Sequence, residues 1–293
     1  MLLLAASCWA AAPRVEPNVV FGMYSGLALL MDVYHPETPN GCGVVYISGS
    51  GWHAPQEYAA EPLKQSGQAK MYASRLAAEG YTVFSLNHRA APRFRYPAAV
   101  EDVQRAVRFI RHHAQRFGIR PGRIGAVGGS SGGHLVLMLG TLDGAGDPAS
   151  ADAVERESAR VQCVVARAAP ADFTRMVAGN SGASAVVSFL GMRRAEPDEG
   201  DTVEARVYRQ ASPLTHVSAD DAPTLLMHGD RDPVVPFEQS EIMERAFRGA
   251  GVAARLLRVP GGGHGGGFSG AVNPPDYMGE MVRWLRLHLE EKR

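Results

Sequence analysis

The residues best suited to chemistry lie in three short stretches. "GAVGGSSGGHL" (125–135) holds two adjacent serines, Ser130 and Ser131, between glycines. "LLMHGDRDPVVP" holds Asp230 and Asp232, and "LLRVPGGGHGGG" holds His264 with three glycines on each side. A serine hydroxyl is a poor nucleophile until a base takes its proton, and that base needs an acid to orient it. Serine, aspartate and histidine in this order describe attack on a carbonyl carbon. The glycine-rich turn admits two other readings. A phosphate loop needs G-K-[ST] where this chain has Gly133-His134-Leu135. A dinucleotide fingerprint needs its glycines after the first strand of a sheet, whereas this turn follows about the third or a later one.

Such residues work only if the fold brings them to one place. Short apolar runs alternate with helical patterns along the chain. The strand-like runs are 43–47, 81–86, 123–127, 161–168, 223–229 and 254–259. They are nearly continuous in apolar residues, as strands buried on both faces must be. Two earlier segments, 17–22 and 28–34, suit an antiparallel edge. Between the runs, "PAAVEDVQRAVRFIRHHAQRFG" sets Val100, Val103, Val107 and Ile110 on one helix face, with Gly118 and Pro121 to stop it. Strand and helix in alternation predict an α/β fold with a mostly parallel sheet covered on both faces. One domain is expected over 14–293. Residues 172–211 break the alternation and read as an insertion above the sheet, a cap over a site; the other reading is a surface excursion.

"RIGAV", then "GGSSGG", then "HLVLMLGTL" is strand, sharp turn and helix, the setting of a G-x-S-x-G nucleophile elbow. Asp230, Asp232 and His264 each follow a strand-like run, so all fall at the C-terminal edge of the sheet. The remaining histidines fit structural roles better. His112 and His113 sit on the charged helix, and His228 ends a strand before an aspartate. Asp172, just after a strand, is a weaker candidate for the pocket.

Bulk properties narrow the function further. The 293 residues are 45% hydrophobic and 20% charged, and 30 basic residues balance 30 acidic ones. No long-range field is expected to draw in nucleic acid. The three cysteines, Cys8, Cys42 and Cys163, make no C-x-x-C pair, and Cys163 reads as a small buried hydrophobe. No H-E-x-x-H or similar metal spacing occurs. The first 13 residues, "MLLLAASCWAAAP", resemble the end of a signal peptide with an A-x-A site at Ala10–Ala12, although a basic leading region is missing. Export is therefore the expectation. No other segment reaches about 18 uninterrupted apolar residues, so no transmembrane span is expected.

Together these stretches resemble the α/β-hydrolase superfamily, in its esterase/lipase and prolyl-oligopeptidase-like group, close to bacterial acetyl and feruloyl esterases. The resemblance covers about 28–290 and rests on "GGSSGGHL", "YPAAVEDVQRAVRFIR", "ASPLTHV", "HGDRDPVVPFEQSEIM" and "VPGGGHGG" in family order. It implies Ser130 as nucleophile, His264 as base and Asp232 as acid, with Asp230 the fallback. It implies a small-molecule ester substrate and no cofactor. Relatives carry His-Gly-Gly-Gly-Trp after the first central strand, where this chain has Ser48-Gly49-Ser50-Gly51-Trp52. Backbone N–H groups of Ser50, Gly51 and Ser131 would then form the oxyanion hole. Ser50 carries a Cβ where relatives have glycine, so the loop conformation is where the resemblance departs. Trp52 and His53 are candidates for contact with the acyl or alcohol group, the alternative being that Trp52 packs under the cap. Two rival functions stay open. One is a peptidase of the oligopeptidase type, although only about 30 residues precede the fold where those enzymes carry a propeller. The other is a hydrolase-fold binding protein with a weakened site.

Overall fold

The computed structural model describes residues 13–55, 57–176, 181–194 and 200–290. The apolar leader expected at 1–13 lies outside them except for Pro13.

Five apolar runs form strands buried along their whole length: β3 (Gly43–Ile47), β4 (Thr82–Leu86), β5 (Ile124–Gly129), β6 (Cys163–Arg167) and β7 (Thr224–Gly229). β8 (Ala254–Val259) closes one side as a half-exposed edge. At the other side β1 (Arg14–Tyr24) and β2 (Leu27–His35) form a hairpin. β1 pairs antiparallel with β2, β2 pairs antiparallel with β4, and the remaining neighbours are parallel. The order across the eight-stranded sheet is β1-β2-β4-β3-β5-β6-β7-β8.

The parallel strands need crossovers, and helices supply them. α1 (Gly67–Ala78) and α7 (Tyr277–Leu289) cover one face. α2 (Ala98–His112), α3 (Ser131–Thr141) and α6 (Glu238–Gly249) cover the other. The strand pleat divides its side chains accordingly. Val45 and Ile47 of β3 join the α2/α3 core, while Val44 and Tyr46 join the α1/α7 core. The four apolar positions expected on α2 are all buried. The helix ends at His112 rather than running on to Gly118, because Ala114 and Phe117 turn back into the core through a tighter, irregular turn. This is the mostly parallel, two-face-covered sheet expected from the alternation, and the α/β-hydrolase architecture that the resemblance implies. Cys163 is buried, and burial holds its thiol protonated.

The departure at 172–211 holds a 3-10 turn at Phe173–Arg175, then α4 (Ser181–Leu190) and α5 (Val203–Gln210). Residues 177–180 and 195–199 of it lie outside the described residues. α4 presents Ser181, Gly182 and Ala185 to a cavity at the C-terminal edge of the sheet. Every stretch singled out for chemistry ends at that edge: Ser130 after β5, Asp232 after β7 and His264 after β8.

Candidate active site

The chain leaves β5 and enters α3 with no intervening loop, so Ser130 must carry the whole reversal. Its φ is 54° and ψ is −124°, a conformation that costs an L-residue about 1–3 kcal/mol. The glycines make the turn sterically feasible. A Cβ at Gly132 would lie 2.7 Å from the Ile47 carbonyl carbon and 2.8 Å from the Ser48 oxygen. The strain holds the Ser130 side chain out over the sheet edge.

Three side chains meet there. The His264 Nε2 lies 2.9 Å from Ser130 Oγ, and His264 Nδ1 lies 2.7 Å from Asp232 Oδ2. The other Asp232 oxygen accepts the amides of Val234 and Val235, at 2.8 and 2.9 Å. Burial alone would push the Asp232 carboxyl up. Hydrogen bonds from His228, His264 and the Val235 amide overcome it and hold the carboxyl well below the usual carboxylate range. An ionised Asp232 can only accept, so Nδ1 of His264 carries the proton. Nε2 is then left to accept from the Ser130 hydroxyl. A serine so placed can lose its proton as it attacks.

Asp230 is placed otherwise. It accepts from Arg258 Nε and the Gly261 amide, both at 2.8 Å, and so ties the loop after β7 to the end of β8. His228 is buried between the Ser240 hydroxyl and the Val235 carbonyl. Asp172 caps the 3-10 turn through the Thr174 amide and hydroxyl. His112 faces Glu157 on the α2 surface.

The loop after β3 lies against the elbow. Its left-handed φ angles fall at Gly51 (64°) and Trp52 (59°), so the Cβ of Ser50 meets no glycine-only requirement. One expectation there is corrected. The Ser50 amide donates to Ser131 Oγ at 2.9 Å and is therefore not free to face an oxyanion. The Gly51 amide and the Ser131 amide remain as donors; Ser131 is the first residue of α3, and the first amides of a helix lack an intrahelical acceptor. Among the described residues the buried Ser50 hydroxyl meets no hydrogen-bond partner. Ser48, which stands where relatives have histidine, bonds to Ser66 at the start of α1, Oγ to Oγ at 2.9 Å.

Trp52 is 2% exposed and stacks on Phe189 of α4, centroids 4.6 Å apart. Its indole N–H donates to His134 Nδ1 at 3.2 Å, so it packs under α4 while one edge reaches the cavity. His53 is corrected more fully. Its Nε2 pairs with Ser188 Oγ at 2.9 Å, and it is not among the cavity-lining residues. The ring is held by α4, whose hydroxyl it meets before any substrate would.

The cavity has a volume of about 280 Å³. Besides Ser130 and His264, its walls include Gln68, Arg167, Pro170, Val234 and Val235. Sequence reasoning passed over these. Arg167 was the legible one: it is the only charged residue in the run "VQCVVARA", and a charge at the end of a buried strand points at the sheet edge.

Comparison with known proteins points to one family. The family model BD-FAE matches residues 31–247. Esterase LipC of Mycobacterium tuberculosis is 30% identical over 81% of this chain and 57% of its own length. The chain spans about half the length of the curated relatives it matches. A solved structure described as a truncated carbohydrate esterase from gut microbiota superposes with a TM-score of 0.77 at 29% identity, over 96% of this chain and 98% of that one. A bifunctional GH43-CE protein of Bacteroides eggerthii gives 0.75 at 27% identity, over 94% of this chain and 38% of that one. With a match across most of its sheet and all the crossovers up to α6, the chain belongs to the BD-FAE family of α/β-hydrolases.

Proposed function

We propose that this chain is a serine hydrolase that cleaves carboxylic esters with short acyl groups through an acyl-enzyme. The observation that carries the reading is the unbroken hydrogen-bond chain from Ser130 Oγ through His264 to Asp232. Ser130 attacks the ester carbon while His264 Nε2 takes its proton. The amides of Gly51 and Ser131 face the charge that develops on the carbonyl oxygen. His264 then protonates the departing alcohol, and Asp232 stabilises the imidazolium meanwhile. Water, deprotonated by His264, releases the acid. A cavity of about 280 Å³, with Trp52 and Ala185 in its wall, favours small acyl groups. The similar proteins, an esterase and a carbohydrate esterase among them, support the same substrate class and suggest acetylated sugars within it.

The test is hydrolysis of 4-nitrophenyl acetate, butyrate and octanoate, with fluorophosphonate labelling as a second readout. Acetate and butyrate should be cleaved faster than octanoate, and Ser130→Ala should be unlabelled and inactive. A wild-type protein inert to all three esters and to the label would mean a hydrolase fold used for binding.

A further inference from the structure

We propose that the pocket selects esters bearing a carboxylate, and that Arg167 is the receptor for it. The inference rests on the ester-hydrolase reading and adds a substrate class to it.

Arg167 is the last residue of β6 and pairs in register with Gly129, the residue before Ser130. It lines the same cavity as Ser130 and His264, and it is only 3% exposed. A guanidinium so far from water is costly unless an anion balances it. Among the described residues two other Lys or Arg side chains are buried, and both have one. Lys64 pairs with Asp32, and Arg89 pairs with Asp102 and Glu101. Arg167 differs. Its Nη1 donates to the Gly265 carbonyl, its Nη2 to Gln68 Oε1 at 3.0 Å, and the Tyr72 hydroxyl is its third partner. All three are neutral. Among the described residues no carboxylate pairs with it, and the cavity wall contains neither Asp nor Glu.

A purely mechanical clamp on the loop of His264 would not need a charge, since a neutral amide can donate to a carbonyl as well. The guanidinium has five N–H donors for these three acceptors, so its fork retains capacity toward the cavity. The guanidinium also packs directly against the elbow: a Cβ at Gly129 would lie 2.8 Å from Arg167 Cζ. The chemistry that fits a buried, preorganised guanidinium held only by neutral groups, the Phe268 ring 5.9 Å away among them, is a carboxylate, taken by two parallel hydrogen bonds.

The carboxylate can belong to the acyl or to the alcohol half, and two matched pairs separate these. The acyl pair is 4-nitrophenyl hydrogen glutarate against 4-nitrophenyl pentanoate. The alcohol pair is 3-acetoxybenzoate against phenyl acetate. Wild-type kcat/KM should favour the anionic member of one pair by at least about 10-fold, the scale of one hydrogen bond to a charged group. In Arg167→Gln that ratio should fall to about 1, and Arg167→Lys should keep part of it. Independently of turnover, Ser130→Ala should bind glutarate saturably by calorimetry, and Ser130→Ala/Arg167→Gln should not. Cleavage of the neutral esters with no preference in either pair overturns the inference and leaves the esterase reading standing. Equal losses on both members of a pair in Arg167→Gln, with the ratio kept, also overturn it and reduce Arg167 to a clamp. Inertness of the wild type toward neutral and anionic esters alike, with no fluorophosphonate labelling, brings down the esterase reading itself.

Discussion

The backbone amide of Ser50 donates to the side-chain oxygen of Ser131 across 81 residues of sequence, at 2.9 Å. This bond fastens the loop after β3 to the first turn of α3. It divides the work of the two adjacent serines: Ser130 points its hydroxyl at His264, while Ser131 uses its own to hold the neighbouring loop. Ser131→Ala should therefore weaken the enzyme without killing it. The loss of one buried hydrogen bond, about 1–2 kcal/mol, should lower kcat roughly 5- to 30-fold with KM little changed. Ser130→Ala should lower it at least about 10⁴-fold. Steady-state kinetics on 4-nitrophenyl acetate separate the two, and full loss in Ser131→Ala with activity kept in Ser130→Ala would reverse the assignment of the nucleophile.

The two aspartates after β7 invite a similar contrast. Asp232 fixes the proton of His264 on Nδ1, whereas Asp230 bonds only to Arg258 and the Gly261 amide. Asp232→Asn presents an amide that can donate to the ring and favour the wrong tautomer, so kcat should fall by roughly 10³–10⁴. Asp230→Asn should change kcat less than about 5-fold, because its pair with Arg258 is solvent-facing and such pairs contribute little. A large loss in Asp230→Asn with little in Asp232→Asn would exchange their roles.

Much of this was legible in the chain. Strands buried on both faces must be apolar throughout, so β3 to β7 stand out as runs, and the chemistry follows from which residues come directly after them. What stayed hidden were pairings between distant segments. Whether the Ser50 amide faces a substrate or Ser131 depends on a contact 81 residues away. The fate of Trp52 depends on His134 and on Phe189 in an insertion whose helices carry no strand-like signal. Arg167 carried a legible signal that was passed over, since one charge at the end of an apolar run also looks like the point where the chain reaches solvent. Here the run ends inside the pocket.

His134 carries a pH dependence for the fold. It is fully buried, accepts the Trp52 indole N–H at Nδ1, and donates from Nε2 to the Ala211 carbonyl at 2.8 Å. Burial pushes its pKa down to about 4, against the Ala211 bond, which pulls it up. The folded value lies below the ordinary 6.5, so the unfolded chain binds the extra proton first. Its contribution is complete above about pH 6.5 and is lost as the pH falls toward 4, at up to about 1.4 kcal/mol per pH unit. His88, also buried and also shifted down by burial, acts in the same direction. Urea midpoints measured from pH 7.5 to 4.5 should fall steadily, and His134→Gln should flatten the slope. A wild-type slope unchanged in His134→Gln would show that the proton goes elsewhere.

The elbow itself can be tested at Gly132. It is the first glycine after the serine pair, and its Cα faces the end of β3 so closely that a Cβ would stand 2.7 Å from the Ile47 carbonyl carbon. Backbone on both sides leaves nothing flexible to move. Gly132→Ala must therefore push α3 off β3 or rotate the turn. Overpacking of this kind costs about 1–3 kcal/mol, and the same displacement shifts Ser130 from His264. Gly249 at the end of α6 is the matched control, because a Cβ there meets nothing within 4 Å and its φ is not left-handed. Gly249→Ala should be neutral or stabilising by up to about 1 kcal/mol. Thermal unfolding and kcat read together are expected to fall in Gly132→Ala and to hold in Gly249→Ala. Full activity in Gly132→Ala would mean that the elbow does not depend on the close approach of β3 to α3.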